Sequence, residues 1–263
     1  MNCLCNLLLI ATTTLLFHSP TGLALEPVLT VGLFNLAPHA FTDSTDETQV
    51  KGAAIDYMER YIAPEMGVSI HWQVYPFSRL IMHMEEGKLD AVLTLAKDGN
   101  REKRYLYPDS PLTYMQSGLA VLASSPLIKV QSPEDLLDTE IGFTKHGYLS
   151  PFMRDARLDI NFIVGDLNAF RTMLRLLNAK RLDAVYNPTI MTLRFEARQL
   201  QISDHLRFIP LPEQKVGLYT VFCKGCSEAL ARYNHAHNER RQRTPYEALL
   251  SPYLAQSPGV NAN

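Results

Sequence analysis

Few residues of this 263-residue chain stand at spacings that do chemistry. "VFCKGCSEAL" places Cys223 and Cys226 as a C-x-x-C between a β-like run and a helical one, where a helix N-terminus can lower a thiol pKa. Too little chain follows Cys226 to complete a thioredoxin-like fold, so the expected role is a disulfide tightening a strand-to-helix turn. As metal ligands the pair has no matched second pair. His235 and His237 of "HAHNE" lie on a predicted helix and face different directions, which suits a solvated face better than a metal. "LDAV" occurs twice, at 89–92 and 182–185, and its acids Asp90 and Asp183 could be paired catalytic carboxylates. Each begins a strand, however, where a turn or capping role is expected. His39 and His146 could serve as acid-base groups with Glu102 or Asp109, or simply bond a ligand or pack. The sequence motifs of serine hydrolases, zinc peptidases, P-loops and dinucleotide folds do not occur. The charge run "REKR" (101–104), taken by itself, reads as solvated surface.

The elements that must position these groups alternate between strand and helix. Strand-like "VLTVGL" (28–33) leads to a helix at 53–67 interrupted near Pro64, then strand 68–75, an amphipathic helix at 77–87 and strand 89–96. The same grammar resumes with "EIGFT" (140–144), strand 160–164, a helix at 166–181 capped by Asp166, strand 182–187, and a helix at 188–200 with Pro188 at its first position. Each LDAV closes a helix and opens a strand, marking equivalent places in two α/β lobes. Extended segments at 114–125 and 215–223 would carry the chain between lobes twice, and two crossings make a hinge over a ligand cleft. The expected division is lobe 1 at 25–118, lobe 2 at 119–218, and a return to lobe 1 with C-terminal helices at 219–263.

With 46% hydrophobic and 20% charged residues and a net charge of −2, the composition is that of an ordinary globular chain. It gives no electrostatic footprint for nucleic acid. "MNCLCNLLLIATTTLLFHSPTGLALEP" reads as a signal peptide over 1–24, cleaved after Ala24, although its n-region lacks Lys and Arg. The apolar run from Leu7 to Phe17 is short for a membrane span.

The run "PFSRLIMHMEEGKLDAVLTLAKDGNREKRYLYPDSPL" (76–112) resembles the family 3 extracellular solute-binding proteins, the periplasmic receptors of polar amino-acid importers. The likeness lies in Gly87, Asp90-Ala91, Arg101-Glu102, Tyr107, Asp109 and Pro111, and in Gly52 and Asp56 of "KGAAIDYMERY". It implies a two-lobed α/β fold of the type II periplasmic-binding-protein kind. Each lobe would be a mostly parallel sheet flanked by helices, with two crossover segments forming the hinge. The resemblance gives Arg101 the role of clamping a ligand carboxylate, with Phe34, His39 and Phe41 lining the cleft from the first lobe. Lys145, His146, Tyr148 and Asn187 would line it from the second. "PFSR" is closer to a divergent branch, in which Arg79 is either a second anion contact or merely exposed. Three departures stand out. Asn187 occupies the place of an ammonium-binding Asp, "KHGYLS" replaces the second lobe's anion cradle, and Leu36 stands where an aromatic often stacks. The family implies a monomer without a cofactor, serving an inner-membrane permease of an ABC importer. The alternatives are a sensor subunit of a receptor kinase, an enzyme on the same scaffold, or a redox protein.

Overall fold

A computed structural model of the chain describes residues 26–42, 46, 48–164 and 167–255. The signal-like leader, its cleavage site and the expected cap Asp166 lie outside the described residues. In chain order the elements are β1 (Val28–Leu33), β2 (Phe41–Thr42), β3 (Val50–Lys51), α1 (Ala53–Tyr57), a π-helical segment (Met58–Ile62), α2 (Ala63–Met66), β4 (Ser69–Val74) and α3 (Phe77–Glu85). There follow β5 (Ala91–Ala96), α4 (Gly99–Arg104), β6 (Thr113–Met115), β7 (Gly118–Leu122), β8 (Ile141–Thr144) and β9 (Ile160–Ile163). The last are α5 (Ala169–Asn178), β10 (Ala184–Asn187), α6 (Ile190–Gln199), β11 (Leu206–Pro210), β12 (Val216–Phe222), α7 (Ser227–Arg241) and α8 (Tyr246–Ala255).

Ten of the twelve strands form two five-stranded sheets, in the orders β4-β1-β5-β12-β6 and β11-β7-β10-β8-β9, and β2 pairs with β3 alone. In each lobe the strands joined through helices pair in parallel, β1 with β4 and β5, β8 with β9 and β10. The antiparallel pairs come from the strands beside the crossings, β6 and β12 in one sheet, β7 and β11 in the other. The chain leaves the first sheet through Gln116 and Ser117 and returns through residues 211–215, so β12 lies in the first sheet over its whole length.

The two LDAV copies do the same structural work. Asp90 donates its backbone N–H to the Thr30 carbonyl at 2.9 Å, and its carboxylate accepts the Thr30 N–H at 2.8 Å. Asp183 repeats the exchange with Glu140, at 3.0 Å in both directions. Each aspartate thus registers its strand on its parallel neighbour. The preceding leucine fills a matching notch. A Cβ added to Gly32 would meet Leu89 Cδ1 at 2.5 Å, and one added to Gly142 would meet Leu182 Cδ1 at 2.6 Å. Only a glycine there lets the leucine lie on the strand.

Local chemistry sets the helix ends. Pro64 does not break the first helix; the π-helical turn just before it gives the proline ring room, and the helix runs to Gly67 in the left-handed conformation. Pro188 is not the first helical residue, because Asn187 Oδ1 accepts the Thr189 N–H at 2.8 Å and moves the helix start to Ile190. α5 begins after Asn168 rather than at 166.

Three apolar clusters follow from the alternation of the strands. One lies under α1, α2, α7 and α8 on the outer face of the first sheet, and one lies on the outer face of the second. The third takes the inner faces of both lobes, from Phe34, Leu80 and Val92 across to Phe170, Leu174 and Val185. The lobes therefore meet through apolar surface around the cleft.

Candidate functional site

The first lobe's side of the cleft is shaped by a fault in β5. Ala91 and Leu93 enter the outer core and Val92 the inner one, in ordinary alternation. Thr94 then adopts φ 63°, and the register against β12 shifts between Tyr219 and Val221. The result is a β-bulge, after which both Leu95 and Ala96 face the inner cluster. A β-branched residue in the left-handed region costs on the order of 1–2 kcal/mol, and here it re-aims the strand end into the cleft. The Thr94 hydroxyl donates to Leu93 O at 2.7 Å.

Beyond the bulge, Asp98 caps α4 by accepting the N–H groups of Asn100 (2.9 Å) and Arg101 (3.0 Å). This brings Arg101, only 5% exposed, against the cleft. Its Nη1 donates to Ala96 O at 3.0 Å in the first lobe, and its Nη2 donates to His146 O at 3.2 Å in the second. Nε faces Asp98 Oδ2 at 3.4 Å, and the guanidinium lies 5.6 Å from the centre of the Phe77 ring. Burial lowers the Arg101 pKa and the Asp98 charge opposes that shift; arginine stays protonated in either case.

A cavity between the lobes adjoins this guanidinium. Phe34, Phe77, Leu95, Met115 and Leu218 line it from the first lobe, and Phe143, Thr144, Gly147, Tyr148, Phe170 and Pro188 from the second. Phe34 and Phe77 meet edge to face at 4.7 Å. Tyr148 is half-buried, carries the Arg154 guanidinium 5.7 Å above its ring, and has its phenol pKa raised by burial. Outside the cavity, Asp98, Arg101, His146 and Arg154 border a wider polar mouth together with the ion pair of Arg104 and Glu85.

Of the expected site residues, Arg101, Phe34 and Tyr148 meet at the cavity, and His146 reaches it through its carbonyl. Asn187 is fully buried at the end of β10, beside the lining residue Pro188, with its Nδ2 unpartnered. The others stand elsewhere. His39 is buried in the first lobe, where its Nδ1 meets the Tyr246 hydroxyl at 2.9 Å and its backbone carbonyl accepts the Ala54 N–H at the start of α1. Burial lowers its pKa to about 4. Phe41 packs between Phe195 of α6 and Tyr253 of α8. Arg79 is exposed, because Phe77, Leu80 and Met84 set the buried face of α3. Lys145 is also exposed. Reasoning from the sequence missed Thr94, Asp98 and Phe77. The signal for the first was a polar residue inside the apolar run "AVLTLA", and for the second an Asp before Gly-Asn-Arg.

Cys223 and Cys226 are joined as a disulfide at the turn between β12 and α7. Among the described residues no group of three or more His, Cys, Asp or Glu side chains could hold a metal. None of their helices is long and apolar enough to cross a membrane.

The sequence profile of the bacterial extracellular solute-binding proteins, family 3, matches residues 29–256. The chain belongs to that family. No curated protein matches it. Among solved structures it is similar to an ancestral arginine-binding protein bound to arginine, at 19% identity over 88% of this chain and 100% of that one, with a TM-score of 0.73. A histidine kinase sensor domain with similarity to periplasmic binding proteins gives 18% identity over 89% and 99%, TM-score 0.73. An amino acid ABC transporter substrate-binding protein from Streptococcus pneumoniae, bound to L-arginine, gives 18% over 87% and 94%, TM-score 0.72. These likenesses establish the two-lobed periplasmic-binding-protein fold, and the family makes this a solute-binding protein.

Proposed function

We propose that this protein is exported to the periplasm, captures a small carboxylate-bearing ligand between its lobes, and presents the closed form to the permease of an ABC importer. One observation carries the reading: Arg101, nearly buried, is hydrogen-bonded to backbone carbonyls of both lobes at the edge of the inter-lobe cavity. A guanidinium so held is oriented before a ligand arrives. An anion bound to it gains most when the second lobe is in place, so binding shifts the lobes toward closure. The signal-like leader supports export, and the family's extracellular character agrees with it. A monomer suffices, since one chain supplies both walls of the cavity.

A second reading, a ligand-sensing subunit of a receptor kinase, is favoured by the likeness to a histidine kinase sensor domain. Neighbouring genes for a permease and an ATPase would support import, and a neighbouring kinase gene would support sensing. The test of ligand capture is native mass spectrometry of freshly purified protein, followed by calorimetry with the co-purified compound on wild type and Arg101→Ala. Loss of affinity in the variant is expected; unchanged affinity would remove Arg101 from the site and the reading with it.

A further inference from the structure

The side chains lining the cavity include one cation, Arg101, and no anion. Arg101 has five N–H groups, of which three are engaged by Ala96 O, His146 O and Asp98, leaving two for a ligand. The carbonyl and carboxylate acceptors around Arg101 are already engaged, and the other side-chain acceptors of the lining are the neutral hydroxyls of Thr94, Thr144 and Tyr148. Ala96 O receives the Tyr107 hydroxyl (3.0 Å) as well as Arg101 Nη1, and His146 O receives Arg101 Nη2. Asp98 lies at the outer mouth, with Oδ1 occupied by two backbone N–H groups and Oδ2 facing Arg101 Nε.

On the second lobe, Asn187 lies just behind the lining, next to Pro188. Only a carbonyl oxygen can accept the Thr189 N–H, which lies 2.8 Å from Oδ1, so the amide orientation is fixed by that bond. The amide nitrogen, buried and unpartnered, is the end left over, and it can only donate. Among the described residues the cavity lining contains no carboxylate side chain. The walls are instead the rings of Phe34, Phe77, Phe143, Tyr148 and Phe170.

We infer that the ligand is a carboxylate with an apolar, aromatic-sized body and no cationic amine. The inference rests on the proposed anion site at Arg101 and adds the chemical class. An ammonium group would bring a full charge close to the Arg101 cation, into a lining that offers the neutral hydroxyls of Thr94, Thr144 and Tyr148 but no carboxylate, and burying a cation without a counter-charge is costly. A ring, by contrast, finds aromatic edges and faces on both lobes.

A matched pair of probes isolates the amine: 3-phenylpropanoate and L-phenylalanine differ only by it. Titration calorimetry on the mature protein should give 3-phenylpropanoate an affinity at least about tenfold above that of L-phenylalanine, an amine penalty in the range expected for an unpaired buried charge. Asn187→Asp supplies the missing counter-charge and should narrow that ratio. Circular dichroism confirms that the variant is folded, and an unchanged ratio in folded protein overturns the role given to Asn187. Tighter binding of L-phenylalanine, L-arginine or L-glutamine than of 3-phenylpropanoate overturns the class. In that case the site still stands if Arg101→Ala abolishes the amino acid's binding. Failure of all four probes on folded wild type likewise overturns the class, and the proposed solute capture falls as well if no compound co-purifies.

Discussion

Acidification should destabilise this protein through two histidines that the fold keeps neutral. His39 and His237 are each about 2% exposed, and burial lowers both pKa values from 6.5 to about 4; His237 thus faces the core, where Tyr57 and Tyr233 pack on it, and only His235 lies on the solvated face expected of both. His237 Nδ1 lies 2.7 Å from the Tyr57 hydroxyl and Nε2 lies 3.3 Å from Pro111 O; burial keeps the ring neutral, the bond to Pro111 O opposes that shift in part, and the nearby Arg241 charge adds to it. In the unfolded chain both rings take up a proton below the ordinary value, so between pH 6.5 and 4 the unfolded state binds more protons than the folded one. Stability is therefore complete above about pH 6.5, is lost as the pH falls, and levels off for these groups below about 4. A shift of this size corresponds to about 3 kcal/mol for each histidine, at 1.36 kcal/mol per pKa unit, and the pair amounts to roughly half of a typical domain's stability. Urea unfolding at pH 7.0, 5.5 and 4.5 reads this directly. The wild-type midpoint should fall steeply over the series, while His237→Gln, though weaker at pH 7, should lose about half of the pH slope in that window. A wild-type midpoint that does not move between pH 7.0 and 4.5, or an unaltered slope in the variant, would refute the reasoning.

Three further outcomes are expected. Arg101→Ala should weaken ligand binding by roughly 10- to 100-fold in calorimetry, the value of a charge-assisted hydrogen-bond pair. Gly52→Ala should lower stability by at least about 2 kcal/mol in urea unfolding, since Gly52 has φ 130° and a Cβ there would run into the His39 carbonyl. Replacing both Cys223 and Cys226 by Ser should cost about 2 kcal/mol by the same assay, the entropy of a loop that closes over a sequence separation of 3.

The architecture was legible because it is written in periodic patterns. The two LDAV junctions, the helix faces and the apolar strands named two equivalent lobes and the crossings between them. Arg101 was singled out by the resemblance of its run to the family's and not by any local pattern, and it stands at the cavity. His39 was misplaced because its partner Tyr246 comes from a helix at the other end of the chain, a contact no local pattern announces. Phe41 failed for the same reason, its neighbours belonging to α6 and α8. Arg79 is a different case, since the spacing of Phe77, Leu80 and Met84 already pointed it outward. The bulge at Thr94 was beyond reach, because it depends on the register between two strands more than a hundred residues apart.

The two passages between the lobes are laced together: Gln116 Nε2 donates to Leu211 O at 2.9 Å, Leu211 N donates to Ser117 O at 3.0 Å, and the Ser117 hydroxyl donates to Glu213. Two separate tethers would let the lobes swivel and slide as well as open. A cross-linked ribbon resists torsion and shear but flexes across its flat side, so it behaves as a door hinge with one axis. On the proposed reading, ligand occupancy would be translated into a single angle, which a partner resting across both lobes could measure without touching the ligand.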